Sequence, residues 1–372
     1  MEEIVKEFHT LLSLNSNITV IKNFLSVYSF KQCKNLVNTP VNENSEVIAT
    51  DTDHEHFLGY TALHFAAEYN DLNLVELCLQ YEADIHRVSS IGTPLHIAML
   101  YEHQDLFHFL IKCGANVHQI IHTLCLNAYH VLLCFGDWYD DCWIAILFDY
   151  NCDINHRLIS GETPLFCDRP CMLRFLLKYG ADINISDSNG TLPLNYYKDS
   201  ILNNSLLPAE FYMNILSHVE KLKLINYHVD GFNNELCTLI LANKWVIDPG
   251  MIHFSDTNIA HIKSEFTDEI DKMKINNFSL MSLLCNEDIN ALAALCRNPT
   301  VQCTLEADDF KTKFPEYHGL LMIKYRIGKT RLNLLNSAKD IMVPLLYKQK
   351  LPGPCLEMIL NHLSNEELEL LK

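Results

Sequence analysis

The sequence predicts an all-α protein: a solenoid of helix-turn-helix repeats over residues 51–200, then a second helical region running to the C-terminus. Two recurring signals and one periodicity predict it. The tetrapeptide Thr61-Ala62-Leu63-His64 returns as Thr93-Pro94-Leu95-His96, and in weaker form as Thr163-Pro164-Leu165-Phe166 and Leu192-Pro193-Leu194. Each is followed about twenty residues later by Ala83-Asp84-Ile85-His86, Ala115-Asn116-Val117-His118, Cys152-Asp153-Ile154-Asn155 or Ala181-Asp182-Ile183-Asn184. The first residues of these segments are 32, 37 and 29 positions apart, scattered around a period of about 33. Between the two signals the apolar residues fall at helical spacing, as in Leu74, Val75, Leu77 and Cys78, or Leu173, Phe175, Leu176 and Leu177.

Each element has a local reason. Pro94 and Pro164 suit the first helical position, where the missing N–H would be unpaired anyway. The preceding Thr can cap the helix and reach the following His imidazole. Leu63, Ala66 and Ala67 face inward, the alanines being small enough for neighbouring repeats to pack closely. Gly114 and Gly180 end the second helices in a left-handed conformation; Glu82 and Asn151 stand at that position in two repeats. On these residues the sequence resembles the ankyrin-repeat family, with about four repeats in 51–200, two of them irregular. The third (about 122–155) is long, lacks T-P-L-H and carries Trp138 and Trp143 beside Asp137-Trp138-Tyr139-Asp140-Asp141; the fourth is short, with Asp168-Arg169-Pro170 where its first helix should continue. The irregularity is either drift or a target-binding insert. Residues 1–50, with Ile4, Val5, Phe8, Leu11, Leu12, Ile21, Phe24 and Leu25 at apolar positions, are expected to form a degenerate helical N-terminal cap.

Composition narrows the function. The 372 residues hold 28 Lys+Arg against 46 Asp+Glu, a formal charge of −18, which disfavours a phosphate-backbone partner. At 49% hydrophobic and 20% charged residues the chain is a folded protein and not a disordered tail. Its 14 cysteines form no C-x-x-C pair, and Cys78, Cys113, Cys171 and Cys296 lie in apolar helical stretches, where a thiol acts as a small hydrophobe. A reducing compartment follows. Met1-Glu2-Glu3-Ile4 does not resemble a signal peptide, and no apolar run reaches the ~18 residues of a membrane span. A cytoplasmic protein with neither a nucleic-acid nor a membrane partner is expected.

Residues 201–260 are expected to form a helical connector. The stripe Tyr212, Ile215, Leu216, Val219, Leu222, Leu224 and Ile225 marks an amphipathic helix within it. Beyond it come Glu269-Ile270-Asp271-Lys272-Met273-Lys274, Ser279-Leu280-Met281-Ser282-Leu283-Leu284, Phe314-Pro315-Glu316-Tyr317 and a tail with Leu351-Pro352, Ile359-Leu360, Leu363-Ser364 and Glu367-Leu368. In this order they resemble the PRANC module (E-I-x-x-M-K, S-L-x-x-L-L, F-P-x-Y, then L-P…I-L…L-S…E-L) found after ankyrin repeats in poxviruses, parasitoid wasps and some intracellular bacteria. The resemblance places a PRANC domain at 261–372. Its end, 351–372, is similar to the start of an F-box, which docks the Skp adaptor of SCF ubiquitin ligases. It implies adaptor contacts by Leu351, Pro352, Leu356, Ile359, Leu360, Leu363 and Leu368, with Ser364 and Glu367 forming a capping box. Gly353-Pro354-Cys355 departs from the F-box pattern, which usually shows an acidic residue and an isoleucine there. The other reading is that this stripe packs on the rest of its own module.

Catalysis finds no support in the motifs. His118 and His122 are four apart but lack the Glu and third ligand of a zinc site. Asp51-Thr52-Asp53-His54-Glu55-His56 reads as a solvated loop. No phosphate loop or nucleophile elbow occurs. No enzyme activity, cofactor or metal is expected. Three readings follow: an adaptor that binds a host target through the repeats and recruits a host Skp–cullin ligase through its end; a ligase-independent decoy that sequesters a signalling factor such as NF-κB; and an ordinary scaffold of the encoding cell. Candidate target contacts lie at the loop tips: His54, His56, Phe57, Arg87, Ser89, Gln119, His156, Arg157, Ser188 and Asn189.

Overall fold

The computed structural model describes residues 2–42, 57–121, 126–135, 142–167, 169–197, 209–242, 256–275, 278–347 and 353–371. The described chain is mostly helical with almost no strand, and it divides into two compact units. The first comprises residues 1–169 and 186–191, the second 170–185 and 192–372.

The first unit opens with three helices, α1 (Glu2–Ser13), α2 (Ile18–Ser26) and α3 (Phe30–Asn38). Their buried side chains include Phe8, Leu12, Ile21, Leu25 and Leu36. Asn17 caps α2 by accepting the Thr19 N–H at 2.8 Å. Three helix pairs follow: α4 (Ala62–Glu68) with α5 (Leu72–Gln80), α6 (Pro94–Leu100) with α7 (Gln104–Lys112), and α8 (Ala128–Phe135) with α9 (Cys142–Asp149). The first helix of each pair packs on that of the next, α4 on α6 and α6 on α8. Ala62, Ala66, Ala67 and Ala98 are fully buried at these joints, where a larger side chain would hold the helices apart. After α9 the pattern weakens. Pro164–Phe166 forms a single 3-10 turn in place of a first helix.

The turns ending α5, α7 and α9 all use positive φ: Glu82 at 56°, Gly114 at 100° and Asn151 at 62°. Of these Glu82 carries the largest steric cost, because its Cβ crowds the carbonyl there and it lacks the short polar side chain by which Asn151 tolerates this conformation. Its carboxylate pairs with Lys34 on α3, and its carbonyl accepts the Asn38 amide at 3.1 Å.

The second unit begins with α10 (Pro170–Lys178) and a 3-10 turn at Pro193–Tyr197, then α11 (Ala209–Leu224), α12 (Gly231–Ala242) and α13 (Asp256–Lys272). The two-residue strands β1 (Lys274–Ile275) and β2 (Phe278–Ser279) pair antiparallel. Short helices α14 (Met281–Leu284), α15 (Ile289–Cys296), α16 (Pro299–Leu305) and α17 (Phe310–Lys313) lead to the 30-residue α18 (His318–Tyr347). The chain closes with α19 (Gly353–His362) and α20 (Asn365–Glu369).

Residues that stood out as separate motifs in the sequence meet in this unit. Phe266, Met273, Leu280, Leu283, Leu284, Phe314 and Tyr317 are all buried. The Leu280 N–H donates to Met273 O at 3.0 Å, and the Phe266 and Tyr317 rings lie 6.1 Å apart. Glu269 on α13 accepts the backbone N–H of Tyr317 at 2.9 Å and of Glu316 at 3.2 Å, which caps the start of α18. Burial raises its carboxyl above the usual range. Lys221 on α11 donates to Glu316 O at 3.0 Å from the other side.

The cysteines divide. Cys78 and Cys296 are buried as expected, whereas Cys113, just past the end of α7, and Cys171 on α10 are exposed, so neither acts as a core hydrophobe. Among the described residues no helix is long and apolar enough to cross a membrane.

One substitution isolates the cost of the left-handed Glu82. Glu82→Gly should stabilise the protein by about 1 kcal/mol, since the strain removed exceeds the worth of an exposed ion pair. Thermal melting checks this; an unchanged or lower midpoint means that the Lys34 pair outweighs the strain.

Candidate protein-binding surfaces

The repeat joints are built from Thr–His pairs. The Thr61 N–H donates to His64 Nδ1 at 3.0 Å, which leaves the ring proton on Nε2, and that N–H donates to Gly92 O of the next repeat at 3.1 Å. Thr93 and His96 repeat the first half, with the Thr93 N–H 3.3 Å from His96 Nδ1. The second half is missing among the described residues, where His96 Nε2 is buried without a hydrogen-bond partner. The carbonyl at the equivalent place, Leu126 O, pairs with the Ile121 N–H across an isolated bridge.

The third repeat has its own version, which the T-P-L-H search misses. Asn127-Ala128-Tyr129-His130 occupies that position. Asn127 Nδ2 donates to Asp153 O at 2.7 Å, turning Oδ1 toward the His130 ring 2.7 Å away. The short contact to an acceptor oxygen puts the His130 proton on Nδ1, the opposite tautomer from His64. The signal was an Asn in place of Thr with His still three residues on. Burial pushes His64, His96 and His130 down to about 4, so all three are neutral at pH 7.

These joints set the spacing of the loop tips, which are themselves tied together. The Ser90 N–H donates to Leu58 O at 3.0 Å, and the Ser188 N–H to Ser160 O at 2.8 Å. Gly59 and Gly161 make the approach possible: both have positive φ, and a Cβ on Gly161 would lie 2.6 Å from Ser188 N. Gln119 Nε2 donates to His86 O at 2.9 Å, and the Arg157 guanidinium to Ser186 O at 2.8 Å.

The predicted target contacts therefore separate. Arg87, Arg157, Ser188 and Asn189 are exposed, and Gln119 and His156 are half-buried. Two expectations are corrected. Phe57 is 3% exposed, its ring packed 5.1 Å from Phe65 and 5.3 Å from Tyr60. Ser89 is buried, its hydroxyl turned inward to Gly92 O at 2.8 Å. Both hold the loop from inside and present nothing to a partner. His54 and His56 lie outside the described residues, as do His122 and the acidic segment 137–141. Sequence reasoning passed over Ile120 and Ile159, which are 38% and 67% exposed at the tips. The available signal was an apolar side chain inside a polar loop.

The C-terminal hairpin is the second surface. The predicted capping box is present: the Glu367 N–H donates to Ser364 Oγ at 3.1 Å, and the Ser364 N–H to the Glu367 carboxylate at 2.8 Å. The predicted anchor stripe is not all outward. Leu356, Leu360 and Leu368 are 7%, 0% and 0% exposed, because α19 and α20 bury them against α18. As packed they cannot reach a partner. Ile359 is exposed and Leu363 half-buried; Met358 and Leu370, which the stripe did not include, are 65% and 86% exposed. Leu351 and Pro352 lie outside the described residues. Among the described residues, no group of three or more His, Cys, Asp or Glu is placed to hold a metal ion.

With the geometry established, comparison with known proteins identifies the repeats. The family model described as "Ankyrin repeats (3 copies)" matches residues 23–120. Its match begins inside the segment expected to be a cap and ends one residue before the bridge at Ile121. Protein phosphatase 1 regulatory subunit 27 of Mus musculus is 40% identical over 70 residues, 18% of this chain and 44% of that protein. The Homo sapiens protein of that name is 42% identical over 62 residues, 16% of this chain and 40% of its own length. This chain thus spans less than half the length of the phosphatase subunits it matches. Ankyrin repeat protein FPV223 of Fowlpox virus (strain NVSL) is 26% identical over 134 residues, 34% of this chain and 89% of that one.

Two outcomes are expected. Phe57→Ala should cost about 3–5 kcal/mol of stability while Arg87→Ala stays within about 0.5, measured by chemical denaturation; equal effects would place Phe57 on the surface after all. The second concerns pH. Burial holds His9, His64, His96, His130, His218 and His318 below 6.5 in the folded protein. The unfolded chain binds protons first, so stability is full above about pH 6.5 and falls as pH drops toward 4. Glu269, raised by burial, opposes this singly. The melting midpoint should fall steadily between pH 7.5 and 5; a flat profile would contradict it.

Proposed function

We propose that the chain, whose residues 23–120 match ankyrin repeats, is a protein-binding, non-catalytic adaptor of the host-cell cytoplasm. The loop tips of the first unit, chiefly Arg87, Gln119, Ile120, His156, Arg157, Ile159, Ser188 and Asn189, hold a host target. The C-terminal hairpin recruits an SCF ligase through its Skp adaptor. One chain then keeps target and ligase at high effective concentration.

The observation that carries this reading is the hairpin itself. It is a folded helix pair with Met358, Ile359 and Leu370 facing solvent, on the segment that resembles an F-box. The contact set consequently moves from the original stripe to Met358, Ile359, Leu363 and Leu370. A second reading, a ligase-independent decoy for a factor such as NF-κB, is favoured by the burial of Leu356, Leu360 and Leu368, three anchors that the resemblance assigned to the partner. The phosphatase subunits match only part of the chain, so phosphatase regulation is not part of the proposal.

The test is a pull-down of purified Skp–cullin complex with three proteins: the full chain, a 1–350 truncation, and Met358→Asp/Ile359→Asp. The adaptor reading expects capture by the full chain only. The surface double variant guards against a truncation that merely misfolds. Capture by none of the three would leave the decoy reading.

A further inference from the structure

We infer that Arg331 is the positioning residue of the C-terminal hairpin, an inference that rests on reading that hairpin as the docking element. Arg331 sits midway along α18 and is 1% exposed. An arginine so deeply buried needs an account, since its charge is costly without compensation. No described carboxylate pairs with it. Its guanidinium makes four hydrogen bonds: Nε donates to Asn290 Oδ1 at 2.9 Å, one terminal nitrogen to Asn365 Oδ1 at 3.2 Å, and the other to Leu360 O at 3.2 Å and Asn361 O at 3.4 Å.

The identity of the acceptors explains the charge. Leu360 and Asn361 lie in the last turn of α19, where carbonyls run out of i+4 donors and the helix dipole is negative; Leu360 O also accepts the Leu363 N–H at 3.3 Å. Asn365 is the first residue of α20. One side chain from a third helix thus caps the end of α19 and grips the start of α20, so the angle between the two is set by a single rigid fork. Asn290 on α15 closes the arrangement: it accepts from Arg331 and donates through Nδ2 to Asn361 O at 2.9 Å. Met358 and Ile359 on α19 and Leu370 beyond α20 owe their common outward presentation to that angle. A lysine would keep the charge but could not span the fork.

The test uses the full chain as wild type, Arg331→Met and Arg331→Lys. Hydrogen exchange is read across the molecule, and affinity for purified Skp–cullin complex by calorimetry. In Arg331→Met, exchange in 353–371 should rise roughly tenfold or more while α11 and α13 stay protected, and affinity should fall by about the same factor. Arg331→Lys should recover part of both. Unchanged exchange in 353–371, or a rise spread evenly over the second unit, would overturn the inference and make Arg331 an ordinary core residue. If wild type itself fails to bind the complex, the adaptor reading falls, and the exchange pattern still decides the role of Arg331.

Discussion

Stacked helix pairs bury backbone carbonyls at every joint, and each buried carbonyl has to find a donor. This constraint organises both units. In the repeats, His64 reaches Gly92 O and Asn127 reaches Asp153 O. In the second unit, Lys221 reaches Glu316 O, Asn233 reaches Ile183 O at 3.0 Å, and Arg331 reaches Leu360 O. Each is a polar side chain that reaches from its own element to a backbone carbonyl of another element or of the loop beside it. Apolar burial supplies the drive for stacking, but these donors select the register in which the elements stack.

The constraint also shows which features are legible in a sequence. The Thr–His pairs were legible because donor and cap lie three residues apart, so a short pattern contains them. The helices of the repeats followed from apolar spacing for the same reason. Asn127 with His130 escaped because the chemistry was conserved in role and not in letters. Arg331 escaped altogether, since its acceptors lie 29 to 41 positions away and nothing local marks it.

Burial of the C-terminal anchors is a similar case. Spacing alone placed Leu356, Ile359, Leu360 and Leu363 on one stripe, with Leu368 continuing it; Leu356, Leu360 and Leu368 are buried, Leu363 is half-buried and Ile359 is exposed. A stripe does not say whether its cover is another chain or the neighbouring helix of its own. Only α18, lying against the hairpin, decides that for Leu360 and Leu368. Phe57 and Ser89 failed as surface residues through the same ambiguity, because a loop tip has an inner lining as well as an outer one.

The missing bond at His96 has a bearing on how such chains change over generations. At the joint between the first two repeats, the Nε2–H of His64 crosses the boundary; at the next boundary no equivalent bond is made among the described residues, and Ile121 pairs with Leu126 in an isolated bridge. Recombination that joined a different C-terminal portion here would break no bond of the His64–Gly92 kind, would remove the Tyr150 hydroxyl that His108 meets at 2.8 Å, and would meet a segment already closed at its end. The same exchange one repeat earlier would orphan a buried imidazole proton. The seam thus divides the solenoid into a part that tolerates inheritance as a block and a part that is free to be replaced.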